Sequence, residues 1–243
     1  MRIAIFGSGG VGGYFGARLA AAGEDVTFLA RGAHLKAMQE SGLHIESPNG
    51  NLSLPKVQAT DRPQAIGPVD VVLFTVKLYD VDASAATLQP LIGPDTVVIT
   101  LQNGVDNEEK IDALLGAGHA LGGAAYVFAI IEAPGVIAHR FAGRIVFGEM
   151  DGRASERATR LHDAFAAAGV PVELSGDVRR VLWEKYLLIS AQAGMTSITR
   201  CPTSVVRETL ETWTMYRRIV EELSAVARAA GVALAPDVVE SIM

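Results

Sequence analysis

The feature that most constrains the fold of this chain is a glycine-rich segment close to its N-terminus. Residues 2–6 form a short apolar run, and Gly7, Gly9 and Gly12 follow it in the spacing G-x-G-x-x-G. The residues after these glycines have the composition of a helix that ends at Gly23. A strand, a glycine turn and a helix in this order are typical of dinucleotide binding, because the glycines permit the turn, the approach of a pyrophosphate and close helix packing. The alternative is a glycine-rich turn that binds no ligand.

The N-terminus of the predicted helix indicates which residues would hold the phosphates of such a ligand. Its free N–H groups and its partial positive charge favour an anion. We therefore expect the phosphates at the glycine turn and the start of this helix, the segment formed by Gly7, Ser8, Gly9, Gly10, Val11 and Gly12.

The end of the second predicted strand, residues 25–30, favours NADP(H) over NAD(H). NAD-binding folds usually place Asp or Glu about 20 residues after the glycines, where it binds a ribose hydroxyl. Here Arg31 follows the strand, and the next acidic residue is Glu40. Arg31, with His34 and Lys36 nearby, is placed to meet a 2′-phosphate. The alternative is a solvent-exposed loop charge.

Composition limits the class of protein further. The 243 residues allow one large or two small domains, and the 49% of hydrophobic residues suffice for a core. A net charge of −6 without a long block of like charge argues against nucleic acid as a partner. Cys201 is the only cysteine, so we expect no disulfide within the chain, no metal site and a cytoplasmic location. The N-terminal segment is a poor signal peptide, and no stretch reaches the about 20 apolar residues that span a membrane.

The pattern after residue 42 predicts an α/β domain. Residues 43–57 alternate loosely around Asn49-Gly50, which is typical of a hairpin. The other predicted elements are buried strands at 69–76 and 96–101, helices at 81–91, 107–115 and 155–168, an antiparallel pair at 119–129 and 136–149, and an edge strand at 170–174.

Polar residues follow several of these predicted strands. Lys77 and Asn103 come directly after two of them, as the Gly7 turn and Arg31 do after two others. Ligands of open α/β sheets bind outside the carboxyl ends of the strands, so we expect these four positions to face one crevice. The alternatives are a surface lysine and an ordinary Asn-Gly turn.

From residue 177 onward the pattern is helical, which divides the chain into domains at 1–176 and 177–243. The predicted helix at 178–199 has a stripe in steps of three and four residues, formed by Val178, Leu182, Lys185, Ile189, Ala193 and Thr196. A lysine within an uncharged stripe is costly unless its ammonium reaches water, a partner or a cleft, so Lys185 is a candidate functional residue. The alternative is a lysine at the edge of the core. We expect Trp183 in the core, a long helix at 204–230 and a short one after Pro236.

This order of motifs resembles the ketopantoate reductase (2-dehydropantoate 2-reductase) family. The matching segments are IAIFGSGGVGGYFGARLA, Arg31, TVKLYD, LQNG, APGVIAH, LWEK and TSITRCP, which span residues 1 to about 203. The resemblance implies an α/β fold with a Rossmann-type N-terminal domain, an all-helical C-terminal domain, and NADPH-dependent reduction of a 2-oxo acid. It implies cofactor contacts at the glycine loop, Arg31, Lys77, Asn103 and Ala129, and it makes Lys185 the proton donor.

The chain departs from the family's pattern at three substrate positions and at its end. The better-known members have asparagines four and eight residues after the lysine and another in the following loop, where this chain has Ile189, Ala193 and Thr203. With Lys185 and Asn103, these are the predicted substrate residues. An apolar wall should bind a polyhydroxy acid less well, which leaves another 2-oxo acid open as the substrate. The chain stops at Met243, before further helices of the family, so we expect the helical domain to be incomplete, either as a fragment or with half of its substrate pocket missing.

Two other functions stay open on the sequence alone. One is a non-catalytic NADP(H)-binding sensor that has lost its substrate site. The other is a different hydroxyacid dehydrogenase of the same architecture, although the missing acid after the second strand argues against the NAD-dependent members. In each case we expect a small-molecule partner and neither nucleic acid nor membrane, and a homodimer stays open.

Overall fold

A computed structural model describes residues 1–81, 84 and 86–243 of the chain. The described residues form two compact units, the first made of Met1–Gln102 and Asp106–Val178, the second of Asn103–Val105 and Arg179–Met243. The helix predicted at residues 81–91 lies partly outside the described residues. At its end, Gln89–Leu91 form a short 3-10 helix.

The first unit consists of one sheet with helices along the chain between its strands. The strands are β1 (Arg2–Phe6), β2 (Asp25–Leu29), β3 (Leu43–Glu46), β4 (Leu52–Leu54), β5 (Gln58–Thr60), β6 (Val71–Phe74), β7 (Val97–Thr100), β8 (Ala120–Ala133), β9 (Val136–Gly148) and β10 (Val172–Leu174). The helices are α1 (Gly10–Ala21), α2 (Gly32–Ser41), α3 (Asn107–Leu115) and α4 (Glu156–Ala167), with further 3-10 helices at Pro63–Ala65 and Leu78–Asp80.

The described residues form a sheet of ten strands in the order β4-β3-β9-β8-β7-β6-β1-β2-β5, and β10 pairs with β9. Pairing is parallel from β8 through β7, β6, β1 and β2 to β5, and antiparallel between β8 and β9 and between β3 and β4. The carboxyl ends of β1, β2 and β6 therefore lie at the same edge of the sheet. The predicted α/β fold, with a Rossmann-type first domain and a helical second one, is confirmed, as are the hairpin and the antiparallel pair.

The apolar sequence of β1 is explained by burial on both of its faces. Ile3 and Ile5 pack in one core with Phe15 of α1, whereas Ala4 and Phe6 pack in another with Phe74 of β6. Because successive side chains of a strand point to opposite faces, a strand covered on both sides needs a continuous apolar run.

One strand of the sheet was absent from the sequence prediction. β5 has the polar sequence Gln-Ala-Thr, and it pairs in parallel with β2 so that Thr60 lies beside Leu29. The N–H of Ala30 extends this ladder by donating to the Thr60 carbonyl at 3.1 Å. β5 is too short for an alternating pattern, and its strand conformation follows from pairing with β2.

The second unit contains most of α5 (Val178–Thr199) together with α6 (Thr203–Glu208), α7 (Leu210–Ala229) and α8 (Val238–Ile242). The single helix predicted at 204–230 is wrong, because the chain is extended at Thr209, with φ −101° and ψ 119°. The hydroxyl of Thr212 donates to the carbonyls of Val206 (2.7 Å) and Thr209 (3.0 Å). It thus satisfies carbonyl groups at the point where α6 ends.

The buried face of α5 also differs from the predicted stripe. Val178 and Leu182 are buried as expected, but the core of the second unit then uses a line of residues four apart, Trp183, Leu187, Ala191 and Met195. Lys185 and Ile189 are half-buried and Ala193 is exposed. The uncharged residues of the predicted stripe are therefore not explained by burial of that side of α5. The expected place of Trp183 in the core is confirmed.

Among the residues that the structure describes, no helix has the length and apolar character needed to cross a membrane.

His139 of β9 is a buried histidine that ties several elements of the first unit together. Its ring stacks on Tyr14 of α1 with 4.2 Å between centroids. Its Nε2 donates to the Phe141 carbonyl at 3.0 Å, and the Ser47 hydroxyl lies 2.8 Å from its Nδ1. A carbonyl can only accept, so Nε2 carries the proton of the neutral ring and Nδ1 accepts from Ser47. Burial lowers the pKa of His139, which the carbonyl contacts partly oppose.

We predict that the protein loses stability as the pH falls through about 6.5, the usual pKa of histidine in an unfolded chain. Below that pH the unfolded state binds more protons than the folded state, because the pKa of His139 is lower in the fold. His34, whose pKa burial also lowers, adds to the effect. The change His139→Gln should lower Tm at pH 7.5 and flatten the loss of Tm between pH 7.5 and about 5.5. An unchanged slope in thermal unfolding curves of the variant would contradict this assignment.

Candidate functional site

A cleft of about 500 Å³ lies in the first unit at the carboxyl ends of β1, β2 and β6. Each of these strands contributes the residues that follow it. Five of the residues predicted to bind the cofactor line this cleft, namely Gly7, Ser8, Gly9, Arg31 and Lys77. The structure therefore brings together three of the four strand ends that the sequence singled out.

The glycine turn after β1 is held against both neighbouring strands. Gly7 has a positive φ of 104°, and a Cβ at this position would lie 2.8 Å from the backbone nitrogen of Val76. The hydroxyl of Thr75 donates to the Gly7 carbonyl at 2.8 Å, and the N–H of Ser8 donates to the Leu29 carbonyl at 3.0 Å. Glycine at position 7 thus permits both the turn and the close approach of the segment after β6.

Of the glycines that follow, Gly9 faces open space, whereas Gly10 and Gly12 are closely packed. A Cβ built on Gly9 meets no atom within 4 Å. A Cβ on Gly10 would overlap the carbonyl oxygen of Ala129, and one on Gly12 would overlap Thr75. Gly10 and Gly12, like half-buried Val11, are not among the residues that line the cleft. They fix the start of α1 against its surroundings, whereas Gly9 leaves room for a ligand.

The N-terminus of α1 suits an anion. Gly9 is its N-cap residue, no side chain caps it, and the first turn contains no acidic residue. The first N–H groups of a helix have no acceptor within the helix, and they carry a partial positive charge. Together with the open space at Gly9, this arrangement fits the pyrophosphate of a dinucleotide.

The cationic lining of the cleft comes from three segments. Arg31 is the N-cap residue of α2, Lys77 follows β6, and Arg62 follows β5. All three side chains are exposed. Lys36, which the sequence places near Arg31, instead lies 3.8 Å from Glu40 and does not line the cleft. Arg62 was not predicted from the sequence, because β5, the strand that positions it, is recognisable only from its pairing with β2.

His34 joins α2 to the turn between β8 and β9 beside this cleft. Its Nδ1 accepts a hydrogen bond of 3.0 Å from the N–H of Gly135. Burial lowers the pKa of His34, which the backbone of Ser8 partly opposes. The ring is therefore neutral at physiological pH, as its role as an acceptor requires.

Asn103 and Ala129 lie outside the described lining of the cleft. Asn103 is exposed, lies three residues after the end of β7, and groups with Gly104 and Val105 in the second unit. Ala129 of β8 lies against Gly10 through its carbonyl group, and Ile131, two residues further along β8, does line the cleft. The cofactor contacts of Asn103 and Ala129 stay predictions.

In the second unit, the predicted catalytic and substrate residues lie on α5 and α6. Burial lowers the pKa of Lys185 to about 8. Ile189 and Ala193 follow Lys185 at intervals of four residues, so the three share one side of α5. Thr203 is half-buried at the first position of α6. This side of α5 presents an ammonium group followed by apolar side chains.

Comparison with known families matches nearly the whole chain. The family model described as "Ketopantoate reductase PanE/ApbA" matches residues 3–152, and that described as "Ketopantoate reductase PanE/ApbA C terminal" matches residues 177–243.

Curated relatives and solved structures give the same result. "Uncharacterized oxidoreductase YkpB" of Bacillus subtilis is 33% identical over 97% of this chain and 78% of its own length. A 2-dehydropantoate 2-reductase of Mesorhizobium japonicum is 30% identical over 96% of this chain and 77% of its own. The crystal structure of 2-dehydropantoate 2-reductase from Geobacter metallireducens superposes with a TM-score of 0.95 at 35% identity, covering 100% of this chain and 81% of that one. A D-mandelate dehydrogenase solved with NADH shares the fold, with a TM-score of 0.88 at 22% identity over 100% of this chain and 78% of its own.

An alanine substitution should affect thermal stability differently at Gly10, which is packed, and at Gly9, which faces open space. Gly10→Ala should lower Tm strongly or prevent folding, because its Cβ would overlap the Ala129 carbonyl. Gly9→Ala adds the same methyl group where no atom lies within 4 Å, so it should leave Tm nearly unchanged. Thermal unfolding of the two variants measures the difference, and equal losses of stability would show that Gly10 is not a packing position.

Proposed function

Because the chain belongs to the ketopantoate reductase family of oxidoreductases, we propose that it is an NADPH-dependent reductase of a 2-oxo acid. Ketopantoate or a related compound is the proposed substrate, and Lys185 is the proposed proton donor. The observation that carries the proposal is the cleft in which the glycine turn, the uncapped start of α1, Arg31 and Lys77 occur together.

The first unit offers the groups that a phosphorylated dinucleotide requires. The N–H groups at the start of α1 can bind the pyrophosphate, and the space at Gly9 lets it approach the backbone. Arg31 stands where an NAD-binding fold usually has an acid, and its guanidinium can bind a 2′-phosphate. Lys77 adds a second positive charge to the cleft. These features support NADP(H) as the cofactor.

Lys185 has the properties of a general acid in the reduction of a carbonyl group. NADPH supplies the hydride for the carbonyl carbon when it is bound. The Lys185 ammonium can donate a hydrogen bond to the carbonyl oxygen, stabilise the negative charge that develops there and transfer its proton. A pKa lowered to about 8 by burial keeps the group protonated at neutral pH and makes the proton easier to release than from an ordinary lysine.

The wall beside Lys185 bears on the choice of substrate. Ile189 and Ala193 offer no hydrogen bonds from their side chains, and Thr203 offers one hydroxyl group. A hydroxyl group of a substrate that is buried against such side chains loses its partners in water without replacement, which costs about 1–3 kcal/mol. We therefore propose a 2-oxo acid with an apolar substituent as a better substrate than ketopantoate.

A panel of 2-oxo acids tests the proposed function. The full-length protein should oxidise NADPH with at least one 2-oxo acid, with a higher kcat/KM for acids with apolar substituents than for ketopantoate. The loss of NADPH absorbance measures both. Efficient turnover of ketopantoate would contradict the proposed substrate preference. Binding of NADPH without turnover of any acid would favour the sensor over the enzyme.

Lys185→Ala should lower kcat by about 10²-fold or more, the lower range for loss of a general acid. The affinity for NADPH should change little, since the residues proposed to hold its phosphates belong to the first unit. For the unmodified protein, kcat/KM of the reduction should fall as the pH rises through about 8, because the acid form of Lys185 is then lost.

Lys36→Ala is a suitable control, because this exposed lysine does not line the cleft. The assignment of Lys185 would be overturned if its alanine variant kept kcat, or if the decline above pH 8 persisted in that variant.

A further inference from the structure

We propose that Arg62 is a second phosphate-binding residue of the cleft and that, together with Arg31, it determines preference for a dinucleotide with a 2′-phosphate. This inference rests on the proposed function, because it concerns the same cofactor. It adds a residue that neither the glycine motif nor the end of β2 indicates.

The first argument is the register between two neighbouring parallel strands. Leu29 lies beside Thr60, at the last paired position of β2 and β5. Continuing this register by two residues puts Arg31 at the same level as Arg62, and neighbouring strands are about 4.8 Å apart. Both arginines line the same cleft. Each of these two adjacent strand ends therefore places one guanidinium group in the same part of the cleft.

The second argument is that the backbone of Arg62 is held in place. Its N–H donates to the Thr60 hydroxyl at 3.1 Å, and its carbonyl accepts from the N–H of Ala65 at 3.0 Å. The next residue, Pro63, is buried and begins a 3-10 helix. The side chain of Arg62 thus extends from a fixed point, so less conformational freedom is lost when it binds a ligand.

The third argument is the charge balance of the cleft. Asp61 and Asp80 also line it, and their carboxylates repel a phosphate. A 2′-phosphate carries nearly two negative charges at neutral pH, comparable to the phosphate monoester of a modified side chain. Arg31 and Lys77 only balance these two carboxylates and leave no net positive charge for the phosphate. A second guanidinium supplies the missing positive charge and further paired N–H donors for phosphate oxygens.

Both guanidinium groups are available for such a ligand. Arg31 and Arg62 are exposed. Within the described part of the chain, neither side chain has a salt bridge, in contrast to Arg157, which binds Glu149 at 2.6 Å. Exposed arginines without a carboxylate partner at one edge of a cleft are suited to an anion from solution.

The test compares equilibrium binding of NADP⁺ and NAD⁺ to the full-length protein by titration calorimetry. Arg62→Ala should raise the Kd for NADP⁺ by about tenfold, as expected for loss of one charged hydrogen-bonding group. The Kd for NAD⁺ should change less than about twofold, because NAD⁺ lacks the 2′-phosphate. The affinity for NADP⁺ should also depend less on salt concentration in the variant, since one charge pair is removed.

Three further variants complete the design. Arg31→Ala should have the same selective effect, and Arg62→Lys should recover part of the affinity because it keeps the charge but not the paired donors. Arg160→Ala removes an equal charge from an exposed position of α4 outside the cleft, and it should leave both Kd values unchanged.

The outcomes separate this inference from the proposed function. If the unmodified protein binds neither dinucleotide, the proposed function itself fails. If it binds NADP⁺ and Arg31→Ala weakens that binding whereas Arg62→Ala does not, only the role of Arg62 is overturned. An equal loss for NADP⁺ and NAD⁺ in Arg62→Ala would also overturn it, because the arginine would then contact a part that both dinucleotides share.

Discussion

The close approach of backbone to backbone at the end of β1 is the constraint on which the rest of the cleft depends. Because Gly7 has no Cβ, its backbone lies close to the segment after β6. Thr75 of that segment donates a hydrogen bond from its hydroxyl to the Gly7 carbonyl. Gly12 permits α1 to pack over the same threonine. A side chain at either glycine would push the helix away from the sheet and would move the N–H groups at the start of α1. The geometry proposed for phosphate binding is thus set by the absence of Cβ atoms.

The parallel pairing of the central strands explains why chemically important residues that are distant in sequence lie together. β2, β1 and β6 are neighbours and point the same way, so the residues after them share one edge. β5 extends this arrangement by one strand and brings a loop from outside the βαβ units to the same edge. The electrostatic character of the cleft therefore depends on sheet topology as much as on the glycine motif.

The elements that the sequence predicted well are those determined by local pattern. β1, α1 and β2 follow from a short apolar run, a glycine turn and helical composition, and α5 was predicted at its observed ends. β5 was missed because its three residues, Gln-Ala-Thr, have no strand pattern of their own and form a strand only by pairing with β2. The break at Thr209 was missed because the amphipathic pattern continues across it, while the hydroxyl of Thr212 binds the carbonyls there. In the same way, the motif and the strand ends predicted five residues of the cleft, but Arg62 depends on a pairing that the sequence does not display.

Half-buried Lys185 and the apolar residues that follow it on α5 would determine two different properties of the proposed reaction. In that proposal, proton donation would depend on the ammonium of Lys185, whose pKa burial lowers to about 8. Ile189 and Ala193 cannot take part in proton transfer, since their side chains have neither donors nor acceptors. In the proposed reaction they would affect only which substituent of a 2-oxo acid is tolerated next to the reacting carbonyl. Substitutions at these positions relative to the family's asparagines would therefore change the substrate while the chemistry of the reduction stays the same.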